Sequence, residues 1–446
     1  MRRLVAVAAL VAGAGCGGRP VAAPGPRTVA PPPPREVRAV TITDTGYHDE
    51  TSIAVNPARP NEVIASYQVP ATVAYSADSG RTWRAQPLPG VHDFQLAGDP
   101  VVTFDPNGTA YAVYIAFDRP DDYSYLGRAA HRNGIFLNRS DDGGATWRAQ
   151  ATPVVFQAEH PGIPFEDKPG FAARHNSVYV AWTEFRAAET VILFARSTDG
   201  GASFSTPKEI SDHAGGPKDS VGATEGTDIA VGNDGTIYVV WSDSTGVLID
   251  QSHDGGLTFG RDGLVARTPD IVFGIPGVAR CNGYPSIAID RATGRLYVEW
   301  VDKRSGEADV YLATSDDGGA TWSAARDVTP PDPAGATDHF FAWLASDPIT
   351  GALVTGYYAG TPAGVMRYRL AYSLDAGEHF RAVDWSTGSF APGGEFLGDY
   401  TGVAVHDGRA FGVWTEANSD TTMGGDRVHV RRHGTWVVVG RARLPD

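Results

Sequence analysis

Acidic and tyrosine-bearing phrases stand at the head of successive apolar runs: Glu50, Asp99, Glu166-Asp167-Lys168, Glu225, Tyr284, Asp338-His339 and Asp399-Tyr400. A second set follows runs that end in an aromatic residue: Phe117-Asp118-Arg119, Trp182-Thr183-Glu184-Phe185-Arg186, Trp241-Ser242-Asp243, Trp300-Val301-Asp302-Lys303-Arg304 and Trp414-Thr415-Glu416. Paired carboxyls can serve as general acid and base on a neutral sugar, with their separation deciding the stereochemistry. Tyr123 and Tyr125 offer ring faces for sugar stacking. Taken singly, an acid at a strand end is a turn cap or a solvated rim, neutralised by a nearby Arg. The functional reading rests on the ensemble, acids with Arg and Tyr meeting in one concavity.

The elements that must bring them together show in a repeat. The phrase S-x-D-x-G-x-T/S-W/F starts at Ser76, Ser140, Ser197, Ser252 and Ser315, and a looser copy at Ser373 ends Glu378-His379-Phe380. A period of some 55 to 64 residues marks a repeat architecture. Ser and Asp side chains bond nearby backbone groups and hold a tight turn. The fifth-position glycine allows a positive φ. Two apolar runs joined by a tight turn precede each copy, as in Thr227–Val231 and Thr236–Trp241, then a third run leads in and a fourth leads out. Four short antiparallel strands per unit predict an all-β β-propeller of four-stranded blades, seven by the count of strand sets, with six left open. The seventh set reads as Thr401–Val405, Ala410–Trp414, Arg427–Arg431 and Thr435–Val439, with Arg432-His433-Gly434 as an eroded copy of the turn. Residues 36–43 read as one more strand, placed to close the ring against the last blade. In an up-and-down blade the 1→2 and 3→4 turns share one face. Here both are tight, and the long connections, Asp118–Asn133, Glu159–Lys168 and Val265–Tyr284, belong to the other face. The site is expected on that long-loop face, around the central channel.

The repeated phrase is the Asp box, and the chain resembles the Asp-box (BNR repeat) propellers of the sialidase (neuraminidase) superfamily. That resemblance implies that Asp78, Asp142, Asp199, Asp254, Asp317 and Asp375 are structural and lie away from the active site. It also implies three Arg on a sugar carboxylate, an attacking Tyr assisted by Glu, and an Asp acid/base. Mapped here, these give Arg119, Arg186 and Arg304 as clamp and Tyr400, Asp399, Glu50 and Asp99 as catalytic candidates. Glu184, Asp243, Asp302, Tyr123 and Tyr125 complete the expected ligand-binding set. The family's early Arg-Ile-Pro phrase is replaced by Asp49-Glu50-Thr51-Ser52. Three functions follow: a carbohydrate-binding sialidase-like propeller, with or without glycoside hydrolase activity; a true exo-α-sialidase; or a protein-interaction or assembly propeller.

The net charge of −15 over 446 residues argues against nucleic acid and against an anionic membrane surface as partners. Residues 1–16 read as an export signal whose end, Gly13-Ala14-Gly15-Cys16, resembles a lipobox, making Cys16 the lipidated residue of a cell-envelope lipoprotein. Residues 17–35 are a Pro/Gly-rich tether, extended at about 3.1 Å per residue. Residues 36–446 are read as a single propeller domain, a monomer. Cys281 has no disulfide partner and reads as a small buried hydrophobe. No cofactor is expected and no His spacing matches a zinc site. Calcium is conceivable from the acid content, but no Asp-rich loop has the ligand spacing.

Overall fold

The computed structural model describes residues 30–44, 46–118, 132–158, 163–269, 271–417, 421–424, 427–430 and 435–445. The export signal, Cys16, most of the tether, and Arg119, Tyr123 and Tyr125 lie outside them.

Seven four-stranded antiparallel sheets are arranged as the blades of a propeller. Blade one runs Asp49–Val55, Val63–Gln68, Thr72–Ser76 and Arg84–Pro87, and the next five repeat this order. The innermost strands are Asp49–Val55, Leu96–Phe104, Phe165–Arg174, Glu225–Val231, Ser286–Ile289, Asp338–Ser346 and Gly402–His406. Second strands are sandwiched between neighbouring blades, so they are buried on both faces and their sequences are nearly continuous apolar runs rather than alternating ones. Ser177–Phe185 is buried at every position after the first. Trp182, Trp241, Trp300 and Trp414 recur near the ends of such strands, fully buried.

The closing blade corrects the strand assignment. Its third strand is Thr435–Arg443, paired with Arg409–Ala417, and its fourth is the N-terminal strand Arg35–Thr43. Arg427–Val430 forms a separate hairpin with Thr421–Gly424. The slot between two blades demands an apolar strand. Thr435-Trp436-Val437-Val438-Val439 meets that demand and Arg427-Val428-His429-Val430 does not. Arg432-His433-Gly434, read as an eroded copy of the repeated turn, lies outside the described residues. Pairing the first strand with the last joins the two ends of the chain in one blade and closes the ring. Just before it, the carbonyls of Pro31 and Pro32 accept hydrogen bonds from Arg381 and Tyr372, docking the end of the tether on blade six.

The Ser-x-Asp turns have one bonding scheme. Ser76 Oγ donates to Asp78 Oδ1 at 2.8 Å and accepts the Gly80 N–H at 2.9 Å, while Asp78 Oδ1 also accepts the Thr82 N–H at 2.9 Å. The turns at Asp142, Asp199, Asp254, Asp317 and Asp375 repeat it. His379, in the drifted copy, supplies through Nδ1 the contact to the acid that a Thr or Ser hydroxyl makes elsewhere. The inner strands begin on the opposite face, where the long connections lie.

Candidate functional site

The inner strands carry a shared irregularity. Their pairing slips between Asp49 and Ser52, Gly98 and Val101, Asp167 and Gly170, Glu225 and Asp228, and Phe340 and Trp343. Each slip holds a residue in left-handed conformation: Glu50 (φ 48°), Asp99 (φ 49°), Lys168 (φ 50°), Gly226 (φ 77°) and Phe341 (φ 51°). Such bulges re-aim side chains and cost on the order of 1–3 kcal/mol at a non-glycine residue. Tyr284 and Tyr400 take the corresponding places in blades five and seven. The ring thus joins Glu50, Asp99, Lys168, Tyr284 and Tyr400, with Asp49, Asp167, Glu225 and Asp399 one residue before the bulge position in their blades.

Two cations organise half of the ring. Lys168 Nζ lies 3.0 Å from Asp399, 3.3 Å from Asp167 and 3.4 Å from Asp219. Arg280 donates from Nε to Asp399 Oδ1 at 2.9 Å and from Nη1 to Asp219 at 2.7 Å. Asn282 Nδ2 adds a bond to Asp399 at 3.0 Å. Burial alone would raise the Asp399 carboxyl, but Lys168 and Arg280 hold it below the usual carboxylate range. Burial likewise works against the Lys168 ammonium, and Asp167, Asp219 and Asp399 together keep it charged. Asp167 is pushed up to about 6, mainly by burial and against the pull of Lys168.

The other half is a carboxyl cluster. Glu50 and Asp99 are 3% and 5% exposed, and Glu50 Oε2 and Asp99 Oδ2 are buried with no hydrogen-bond donor among the described residues. Like charges so close cannot both ionise. Burial first, and Asp99 second, push the Glu50 carboxyl well above its ordinary range. Asp49 is pushed up to about 7 by burial, although Gln68 Nε2 donates to it at 2.5 Å. Gln68 Oε1 accepts the Asp99 N–H at 3.0 Å, so one amide ties the first two blades together at the ring. Tyr400 belongs to this cluster: burial, then Asp99 and Glu50, push its hydroxyl well up. Glu225 and Tyr284 form a similar buried couple. Burial raises both, and Asp219 adds to the rise at Glu225 while Glu225 adds to it at Tyr284. A side chain at Gly226 would start 2.3 Å from the Tyr284 ring, so the glycine is what lets that ring lie there.

The ring is covered. Gly394 N–H donates to the Gly277 carbonyl at 2.9 Å and Ala279 N–H to the Glu395 carbonyl at 3.4 Å, stitching two long connections together. Arg280 stacks 4.8 Å from the Phe396 ring centroid and lies between solvent and Asp399, with its side chain 22% exposed against 0% for the aspartate. The space inside the ring is about 30 Å³, lined by Lys168, Tyr284, Trp343 and Tyr400 among others. That holds about one water. Cys281 is buried beside Asn282, and burial pushes its thiol well up. Among the described residues no three His, Cys, Asp or Glu are grouped to hold a metal ion.

The structure brings Glu50, Asp99, Asp399 and Tyr400 to one ring. The residues after the second-strand aromatics have other partners. Asp302, fully buried, accepts the Trp300 Nε1–H at 2.8 Å and the Arg304 guanidinium. Arg304 also packs on the Tyr311 ring at 4.5 Å. Glu416 accepts the Trp414 Nε1–H at 2.9 Å. Asp243 caps the turn to the third strand through the Thr245 N–H at 2.6 Å. Arg186 pairs with Glu184 at 2.6 Å and with Glu189 and Glu209, each at 2.9 Å. The aromatic–acid phrase thus seats a buried indole in two of the blades; Arg186 is engaged within its own blade, and Arg304 there and with the Arg267 carbonyl beyond the preceding blade at 3.1 Å. Ile271 is buried, and Phe273 packs against the core, so the apolar Ile271-Val272-Phe273 run belongs to the fold rather than to a surface. Sequence reasoning missed Arg280, Asp219 and Asn282. Their only signal was membership of long connections on the expected face.

No family model matches the chain, and no curated protein matches it. Solved structures similar to it include a protein of unknown function from Dyadobacter fermentans DSM 18053, 11% identical over 93% of this chain and 99% of that one, TM-score 0.49. A second is the Hadza microbial sialidase Hz136, 15% identical over 87% of this chain and 75% of that one, TM-score 0.49. A third is the GH93 α-L-arabinofuranosidase of Fusarium graminearum complexed with arabinobiose, 13% identical over 91% of this chain and 97% of that one, TM-score 0.48. Likeness at this level assigns no chemistry to this chain.

Proposed function

We propose that the chain is an exported, lipid-anchored propeller of the Asp-box, sialidase-like kind that binds glycan at the cell surface and hydrolyses it at the inner ring. The observation that carries this reading is the Glu50–Asp99 couple: two buried carboxyls, each on a strained bulge of an adjacent blade, each with an oxygen that no donor among the described residues reaches. Strain and uncompensated burial of this kind are kept where chemistry needs them. The Asp99 charge acts on the Glu50 carboxyl, so the two work as one acid/base unit. Glu50, held protonated, gives its proton to the leaving glycosidic oxygen as the anomeric C–O bond breaks, and Asp99 takes a proton from the water that bonds to the anomeric carbon. Neutral carboxyls and tyrosine hydroxyls also suit a polyhydroxyl ligand. Because Lys168 and Arg280 are already shared among carboxylates, a neutral sugar fits better than an acidic one. Entry requires the cover over the ring to part.

The electrostatic influence of Glu50 and Asp99 on the Tyr400 hydroxyl favours a second reading, an exo-α-sialidase in which Tyr400 attacks. Hydrolysis of fluorogenic neutral glycosides and of a fluorogenic sialoside separates the two. Under the first reading neutral substrates turn over and Glu50→Gln lowers kcat at least a hundredfold while glycan-array binding persists. Turnover of the sialoside, lost in Tyr400→Phe, selects the second. If no glycan is bound or cleaved, both fall and the protein-interaction reading takes their place.

A further inference from the structure

On the face of the Ser-x-Asp turns, at the seam between the last blade and the first, lies a pocket of about 460 Å³. Four arginines line it, Arg81, Arg409, Arg441 and Arg443, against two acids, Glu36 and Asp407. This is a cationic concavity on a protein whose net charge is −15. The closing blade builds it by register: Arg409 lies directly opposite Arg443, and Arg441 opposite Phe411, so three guanidinium stems rise from one face of the sheet. Like charges placed opposite each other in antiparallel strands are destabilising. Internal partners answer only part of that cost. Arg443 reaches the Asp407 carboxylate at 3.7 Å, and Arg81 donates to the Asp78 carbonyl at 2.9 Å. Arg409 and Arg441 have no carboxylate partner among the described residues, and Arg441 Nε is buried without an acceptor. A buried charged N–H left unpaired is costly, and an anion accepting from several guanidinium groups removes that cost and the mutual repulsion together.

We propose that this seam pocket binds a phosphate-type oxyanion, as inorganic phosphate or as the terminal group of a phosphomonoester. Several converging guanidinium groups match an anion with three or more oxygens better than a carboxylate, which one bidentate Arg satisfies. The volume leaves room for the group that carries the phosphate. The pocket is on the face away from the ring, so its occupancy does not depend on the glycan reading.

The test is titration calorimetry of the full chain with inorganic phosphate in low-salt chloride buffer, paired with thermal melts. Saturable one-site binding is expected, with a melting temperature that rises with phosphate. Arg409→Gln and Arg441→Gln should each weaken binding at least tenfold. Without phosphate they should melt no lower than the parent, since each removes a like charge. Two variants guard against one failing to fold. Absence of saturable binding in the parent, or undiminished binding in both variants, overturns the proposal. Co-sedimentation with phosphatidylcholine vesicles containing phosphatidic acid, lost in Arg409→Gln, identifies a lipid headgroup as the source. Phosphate binding without co-sedimentation identifies a soluble one.

Discussion

Arg280 donates from Nε to Asp399 Oδ1 at 2.9 Å, joining two connections 119 residues apart in sequence. The bond links the cover over the ring to a carboxylate that Lys168 also holds, so it couples access to the electrostatics of the floor. Replacing either partner leaves the other buried with a changed charge balance. A double-mutant cycle of Arg280→Met and Asp399→Asn is expected to give a coupling of about 1–3 kcal/mol in urea melts at pH 7. Strict additivity of the two single variants would show that the contact does not hold the cover.

Stability should fall from mildly acidic to mildly alkaline solution. Burial pushes Glu299 up to about 8, despite the bond from Thr355 Oγ1 at 2.8 Å, and pushes Asp228 up to about 7. A carboxyl raised in the folded state contributes stability that is fully present below its ordinary value, near 4.5 for Glu299, and lost as pH rises through about 8. Asp78 and Asp199, held at about 2 by their turn bonds, act in the opposite sense and lose their contribution as pH falls toward that value. Urea midpoints should therefore peak in mild acid. Glu299→Gln, which keeps an acceptor for Thr355, should flatten the decline toward pH 8 and change little at pH 4.5; an unchanged slope would place the ionisation elsewhere.

The Ser-x-Asp turns should matter for stability and not for ligand. Ser140 Oγ, buried, donates to Asp142 at 2.8 Å and accepts the Gly144 N–H at 2.8 Å. Ser140→Ala should cost about 1–2 kcal/mol. Glycan affinity measured on the folded variant should not move, and a drop would link the two faces of the propeller.

Gly226 and Gly235 separate close approach from backbone strain. Both have positive φ, 77° and 91°, but a side chain at Gly226 meets the Tyr284 ring at 2.3 Å, while one at Gly235 meets nothing within 4 Å. Gly235→Ala should therefore cost about 1 kcal/mol, the backbone part alone. Gly226→Ala should cost clearly more and shift the near-ultraviolet circular dichroism of the buried tyrosines. Equal losses would mean that the Tyr284 ring moves freely.

Much of the architecture was legible because its causes are local. A turn held by its own Ser and Asp repeats wherever Ser-x-Asp-x-Gly repeats, and a strand buried between blades must be apolar throughout. The closing blade was misread where a long-range requirement outranked local pattern: Arg427–Val430 reads as a strand, and is one, but the third slot went to the more apolar Thr435–Arg443. Among candidate-site residues, Glu50, Asp99, Asp399 and Tyr400 were visible because they stand at the head of apolar runs. Asp302 and Arg304 looked alike at a strand end, yet one seats the Trp300 indole and the other stacks on Tyr311.

The sequence by itself determined the repeating turn, the strand pattern and the face on which the long connections meet, since each follows from side chains a few residues apart. Only the tertiary structure decided which charges share the ring. Arg280, Asn282 and Asp219 reach Asp399 and Lys168 from connections that vary in length and carry no periodic signal. It also decided that the Glu50 carboxyl is raised, because burial and the approach of Asp99 arise only when the blades close into a ring.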